Sequence, residues 1–261
     1  MTNEEYIKAI EIRRSRRTFK PVLPDKATLD VIESLTGIVN KVDGLEFRFI
    51  EDASFAFTFF TGRFSAIAIC GDDSEWVRVK AGYYGESIVL ECAYHGLGTC
   101  WVAGTYNENK MLEYLKLPQE TRLYCVIVIG LVKPKLSKKE QMMYNVTHKK
   151  NKPYQKMFEV CDEKLPPHSE YAMKLVEKAP SSVNRRPVRF RYENGEISAY
   201  VDEPYSDKSI DFGIAQLHFN IGCASMGVVG EWDKSGKFIP RESKIVQFPK
   251  IEETGEGEKN D

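Results

Sequence analysis

The sequence predicts an α+β protein, with central mixed or antiparallel sheets flanked by helices and built as two tandem halves of one chain. Three observations carry that expectation. Leu123–Ile129 (LYCVIVI) is apolar at every position, as a central strand buried on both faces must be. Asn194-Gly195 lies between two strand-like runs and marks a tight antiparallel hairpin. A long apolar helix closed by glycine and followed by a strand occurs once in each half.

The first half begins with a helix from about Thr2 to Arg14. Asp25 is a good N-cap for a second helix that carries Leu29, Ile32 and Leu35 on one face. Strands follow at Leu45–Ile50 and Ala66–Cys70, then a helix from about Glu75 to His95 closed by Gly96 and Gly98. Cys100–Ala103 and Leu123–Ile129 complete the strands of this half, residues 1–150.

A polar, Lys-rich bridge, about Lys133 to Lys152, leads into the second, shorter half, residues 151–250. Ser169 is read as the cap of a helix carrying Tyr171, Met173, Leu175 and Val176, which Ala179-Pro180-Ser181-Ser182 breaks. Arg189–Tyr192 and Ile197–Val201 form the hairpin, Ile210–Ala224 is the long helix, and Gly227–Trp232 returns to strand. Shifting Ser87–Thr99 by 129 residues (98 to 227) sets Ile88 on Leu217, Leu90 on Phe219 and Gly98 on Gly227. The acidic, Gly-rich segment 251–261 is expected to be a disordered tail.

Composition narrows the function. A chain of 261 residues with 42% hydrophobic and 29% charged residues can bury a real core. The net charge of -1 gives no general attraction to nucleic acid or anionic membrane, and no run reaches membrane-spanning length. The acidic N-terminus is no signal peptide. Six cysteines without a Cys-x-x-Cys pair suggest reduced, mostly buried thiols and a cytoplasmic location. Four histidines lack ligand spacing, so no metal site is expected. The absence of Gly-x-Gly-x-x-Gly after a strand argues against a Rossmann nicotinamide domain.

Against that neutral background, Arg13-Arg14-Ser15-Arg16-Arg17 is a local device. Planar guanidinium forks match phosphate, and the serine adds a short donor. A wet basic helix end is the plain alternative.

Arg-Arg-Ser-x-Arg after an N-terminal helix resembles the opening motif of the nitroreductase family of FMN-dependent oxidoreductases. Ala81-Gly82 through Gly96-Leu97-Gly98-Thr99-Cys100-Trp101-Val102-Ala103-Gly104 is similar to that family's central helix and following strand. Ala179-Pro-Ser-Ser-Val-Asn184-Arg-Arg186-Pro187 resembles its Pro-Ser-Ser-x-Asn-x-Gln-Pro segment, with Arg186 in place of Gln. In the family that segment follows the Arg motif within a few dozen residues. Here Ser34–Phe49 lacks it, and the intact version sits in the second half. Family members pair across a dimer interface, so the resemblance implies a fused pseudo-dimer with one FMN per chain, monomeric in solution or assembled further.

The resemblance also assigns roles. Arg13 and Ser15 would hold the phosphate, Arg14 the ribityl chain, and Arg17 the N1/O2 edge, with Arg16 facing solvent. Lys138 or Lys139 corresponds to a further phosphate contact, or is a solvated linker lysine. Val102-Ala103-Gly104 would run along the flavin edge, with a backbone N–H of Ala103 or Gly104 directed at N5. Ser181, Ser182, Asn184 and Arg186 would reach the ring from the other half. No catalytic side chain is required: NAD(P)H reduces the flavin, which reduces a nitroaromatic, a quinone or a similar small acceptor. Trp101, Tyr83, Tyr84 and Trp232 stack near the ligand or belong to the core. Two other classes stand beside this one: a flavin-binding protein without turnover, and an RNA- or phosphopeptide-binding module, which the neutral charge disfavours.

Overall fold

The computed structural model describes residues 1–148, 153–161, 164–201 and 208–241. The segment 251–261 read as a disordered tail lies outside the described residues.

Helix α1 (Asn3–Ile12) starts at a capping box in which Thr2 and Glu5 satisfy each other's backbone N–H. Asp25 caps α2 (Lys26–Val39) through the Thr28 N–H at 2.8 Å, and Leu29, Ile32 and Val39 are buried on the inner face. The first sheet has the order β1-β2-β4-β3 and is antiparallel throughout. Its strands are β1 (Arg48–Ile50), β2 (Ser65–Asp72), β3 (Leu97–Val102) and β4 (Thr121–Leu131). The expected central strand is indeed interior: β4 pairs on both sides, and Tyr124 to Gly130 are buried. Helix α3 (Glu75–Tyr94) covers one face of this sheet together with α2. Phe19, Phe57, Phe60 and Phe64 cover the other.

The second sheet is mixed, in the order β5-β6-β7-β9-β8. The Asn194-Gly195 turn joins β6 (Val188–Glu193) to β7 (Glu196–Val201), and both turn residues have positive φ. Strand β5 (Phe158–Val160) runs parallel to β6, and β8 (Val229–Trp232) and β9 (Lys237–Arg241) close the far side. Helices α6 (Pro167–Val176) and α7 (Lys208–Ser225) pack on this sheet.

Several expectations need correction. The Lys-rich bridge contains α5 (Lys138–His148), and α4 (Glu108–Leu115), β5 and β9 carry too few periodic residues to stand out. Ser169 is not a cap: α6 starts at Pro167, and Ser169 lies buried in its first turn with an unpartnered hydroxyl. Strand β1 is shorter than Leu45–Ile50, because Leu45 makes only an isolated bridge to Gly71. Five of the six cysteines are buried as free thiols, but Cys161 is exposed.

The two long helices, α3 and α7, cross at close range. A Cβ on Gly82 would meet the Ile210 carbonyl oxygen at 2.1 Å, and one on Gly213 would meet the Val79 carbonyl oxygen at 1.8 Å. The two contacts are reciprocal, since one spacing of 131 residues (82 to 213, 79 to 210) relates both. That spacing differs by two from the 129 of the sequence pairing. The helix-ending glycines with left-handed backbone, Gly96 and Gly227 (96 to 227), share the 131-residue spacing.

Candidate functional site

The Arg cluster begins at the C-cap of α1 and continues beyond the helix. Arg13 leaves α1 with φ -56 and ψ 130, and the chain then runs extended beside β3. Ser15 bridges to Thr99, and Arg16 N–H donates to the Thr99 carbonyl at 2.8 Å. Extended backbone alternates its side chains between faces. Arg13, Ser15 and Arg17 therefore line a cavity, joined by the exposed Arg14. Arg16 points the other way, which corrects the expectation that it faces solvent. It is buried, and its guanidinium bonds Glu140 Oε1 at 3.3 Å and the carbonyls of Lys133 and Lys135 at 2.9 and 3.2 Å.

Glu140 is the residue the sequence reading missed here. Its carboxylate accepts from the backbone N–H groups of Arg17, Thr18 and Ser137 at 2.6, 3.0 and 2.7 Å. Burial alone would raise its pKa, but those donors outweigh burial and hold it below the usual carboxylate range. Ser137-Lys-Lys-Glu140 is a capping box for α5, a signal the sequence does contain.

The cavity encloses about 660 Å³. Its floor is the end of β3, where Trp101, Val102, Ala103 and Gly104 lie. The missing Cβ of Gly104 would meet nothing within 4 Å. Helix α5 contributes Met143, Tyr144, Thr147 and His148, with the Tyr144 and His148 rings stacked at 3.9 Å. Burial lowers the His148 pKa, the Tyr144 carbonyl opposes this, and Arg186, Arg13 and Arg14 add to the lowering.

The opposite wall comes from the second part of the chain, where Ser181, Ser182, Asn184 and Arg186 all line the same cavity. Their loop is strained: Val183, Asn184 and Arg186 have φ of 43°, 57° and 51°. Such conformations persist only where the surroundings enforce them. Both carboxylate oxygens of Asp211 accept from Ser182 N–H at 3.1 Å, Ser181 Oγ accepts from Arg186 N–H at 2.9 Å, and Asn184 Nδ2 donates to the Thr147 carbonyl at 3.0 Å. Thus Arg13, Arg14, Ser15, Arg17, Val102, Ala103, Gly104, Ser181, Ser182, Asn184 and Arg186 all reach one cavity. Lys138 and Lys139 do not: Lys139 Nζ bonds the Phe59 carbonyl at 2.6 Å, and Lys138 lies on the outer side of α5. Lys174 and Lys178 line the cavity instead, and Lys178 pairs with Glu11 of α1.

The electrostatics favour an anion. Arg13 is 12% exposed, its Nε has no hydrogen-bond partner, and the nearest carboxylate oxygen, on Glu86, is 3.9 Å away. Burial lowers the pKa of both Arg13 and Arg186. Nε itself is closed off on the Glu86 side, so an anion would meet the remaining, cavity-facing part of the Arg13 guanidinium.

The profile of a family described as "Putative TM nitroreductase" matches residues 5–223. The chain belongs to this nitroreductase family. The family member's fold is similar to that of a Thermotoga maritima protein described as a "putative nitroreductase", with a TM-score of 0.61 and 22% identity over 91% of this chain and 94% of that one. An "FMN-dependent Nitroreductase" from Clostridium difficile R20291 is 23% identical over 53% of this chain and 95% of its own, with a TM-score of 0.41. A nitroreductase family protein from Clostridium difficile 630 is 19% identical over 63% of this chain and 100% of its own, with a TM-score of 0.46. No curated protein matches the chain. Among the described residues, no helix of this family member is long and apolar enough to cross a membrane.

Proposed function

We propose that this protein is an FMN-dependent oxidoreductase that holds one FMN per chain, takes electrons from NAD(P)H and passes them to a small nitroaromatic, quinone or similar acceptor. The observation that carries this reading is the convergence of three separate segments, 13–17, 102–104 and 181–186, on one cavity. Its volume of about 660 Å³ lies within the ordinary range for cofactor sites. FMN in that cavity would supply the hydride and electron chemistry.

The chain's own residues bind, orient and shield. Arg13 and Ser15, which both line the cavity, are the phosphate ligands. Arg14 follows the ribityl chain, and Arg17 lends positive charge at the pyrimidine edge of the ring. The backbone of Ala103 and Gly104 runs along the ring, where the open space beside Gly104 allows a close approach. Ser181, Ser182, Asn184 and Arg186 close the site from the second half.

The reciprocal Gly82 and Gly213 contacts support reading the chain as a pseudo-dimer that needs no second copy. The buried free thiols accord with a reducing, cytoplasmic setting.

The test is a visible spectrum of the purified protein, with flavin quantified per chain, before and after anaerobic NADH or NADPH. About one FMN per chain that bleaches is expected. Two per chain would remove the single-site reading, and bound flavin that resists both reductants would favour a binding protein without turnover. Colourless protein that refuses added FMN would leave only the anion site.

A further inference from the structure

Behind the cavity wall lies a titratable cluster that the proposed chemistry does not use. Glu86, in the middle of α3, and His218, in α7, are both 0% exposed, and neither lines the cavity. Glu86 Oε2 accepts from Trp101 Nε1 at 2.8 Å, and Glu86 Oε1 lies 3.1 Å from His218 Nε2. Arg13 Nε is 3.9 Å from the same Oε1. On the far side of the imidazole, Nδ1 is 3.1 Å from the Leu175 carbonyl oxygen.

A carbonyl oxygen can only accept, so Nδ1 carries a hydrogen. The contact between Nε2 and Oε1 must then hold one more proton, or two lone pairs would face each other in a site closed to water. Both carboxyl oxygens are faced by donors, the indole N–H on one and the Arg13 Nε–H beside the other, an arrangement that matches an acceptor-only carboxylate. That leaves the proton on Nε2.

We propose that Glu86 and His218 form a buried carboxylate–imidazolium pair that serves as the positioning element of the cavity. The carboxylate steadies the Trp101 indole and the Arg13 guanidinium from behind. The imidazolium answers that carboxylate and ties α3 to α7, so the pair is neutral as a whole and acts on Arg13 and Trp101 by orienting them. The ligand side of this inference rests on the phosphate reading of Arg13; the pair itself does not.

Two measurements on the full chain test it. In 15N-histidine-labelled protein at neutral pH, both ring nitrogens of His218 should carry protons, the signal being assigned by its loss in His218→Gln. In Glu86→Gln the Nε2 proton should disappear, since an amide N–H can donate to a neutral imidazole. A bare ring nitrogen on His218 in the unaltered protein overturns the ion pair. Inorganic phosphate binding is then compared among the unaltered protein, Glu86→Gln and Arg13→Ala. Glu86→Gln should bind phosphate about tenfold more weakly, because the carboxylate and imidazolium charges are lost together, leaving the net charge unchanged, while Arg13 loses the group that orients it. Arg13→Ala should lose the binding. Unchanged or tighter phosphate binding in Glu86→Gln, or binding that ignores Arg13, overturns the positioning role. The FMN reading fails by a different sign: phosphate responds as expected, yet neither FMN nor riboflavin binds.

Discussion

Arg13 lines the cavity from a largely buried position, where burial lowers its pKa. Arg13→Ala should weaken FMN by about 2 kcal/mol, roughly 30-fold, as read by flavin fluorescence titration. Riboflavin, which lacks the phosphate, should be affected far less. Gly104 offers the complementary case. Its backbone needs no left-handed conformation and a Cβ meets nothing in the protein. Gly104→Ala should leave stability within about 1 kcal/mol of the parent yet weaken flavin about tenfold by crowding the ring. At this scale most of the site was legible, because the Arg cluster and the Pro-Ser-Ser-x-Asn segment are local strings whose chemistry survives without the fold. Arg16 was not legible. A guanidinium's direction depends on whether the backbone is helical or extended, and the segment turned out to be extended.

Among the elements, α5 is the one on which the site most depends, and it was hidden in a Lys-rich stretch that reads as linker. Its helical stripe is weak because its outer face exposes Met142 and Val146 while its inner face meets the cavity. Only the capping box at Ser137 and Glu140 announces it. Glu140 joins that helix to the Arg segment, so Glu140→Gln should destabilise the protein by about 3 kcal/mol in denaturant unfolding and loosen flavin as well. The pH dependence follows in sign. The folded-state pKa of Glu140 is depressed, so its stabilisation is fully present above the unfolded-state carboxylate value. It is lost as pH falls through the lower folded value, and Glu140→Gln should flatten that acid limb of the stability profile. The Asn194-Gly195 hairpin and the apolar β4 were legible for the opposite reason: each announces its geometry within a few residues.

For the whole molecule the deciding contact is the crossing of α3 and α7. Gly82→Ala and Gly213→Ala each force a methyl onto a carbonyl oxygen, and each should cost more than about 3 kcal/mol and release flavin, measured by thermal unfolding and spectral titration. Because both push the same two helices apart, the double variant should fall short of the sum. Gly37→Ala, in α2 with nothing within 4 Å, is the control and should stabilise by about 0.5 to 1 kcal/mol. The sequence pairs the two long helices at a spacing of 129 residues (98 to 227), whereas the glycine contacts at their crossing are related by 131 (82 to 213). Apolar helices align loosely, and the packed glycines carry the tighter geometric constraint.

The two walls of the cavity, drawn from residues 10–148 on one side and from 174–186 and 210–214 on the other, belong to one polypeptide. Two separate subunits facing each other across such a site would come apart on dilution and take the site with them. Here the walls are tethered, so their mutual effective concentration is a property of the chain and not of the solution. Bringing the two walls together is then an intramolecular event, and its cost is set by the length and stiffness of the chain between them.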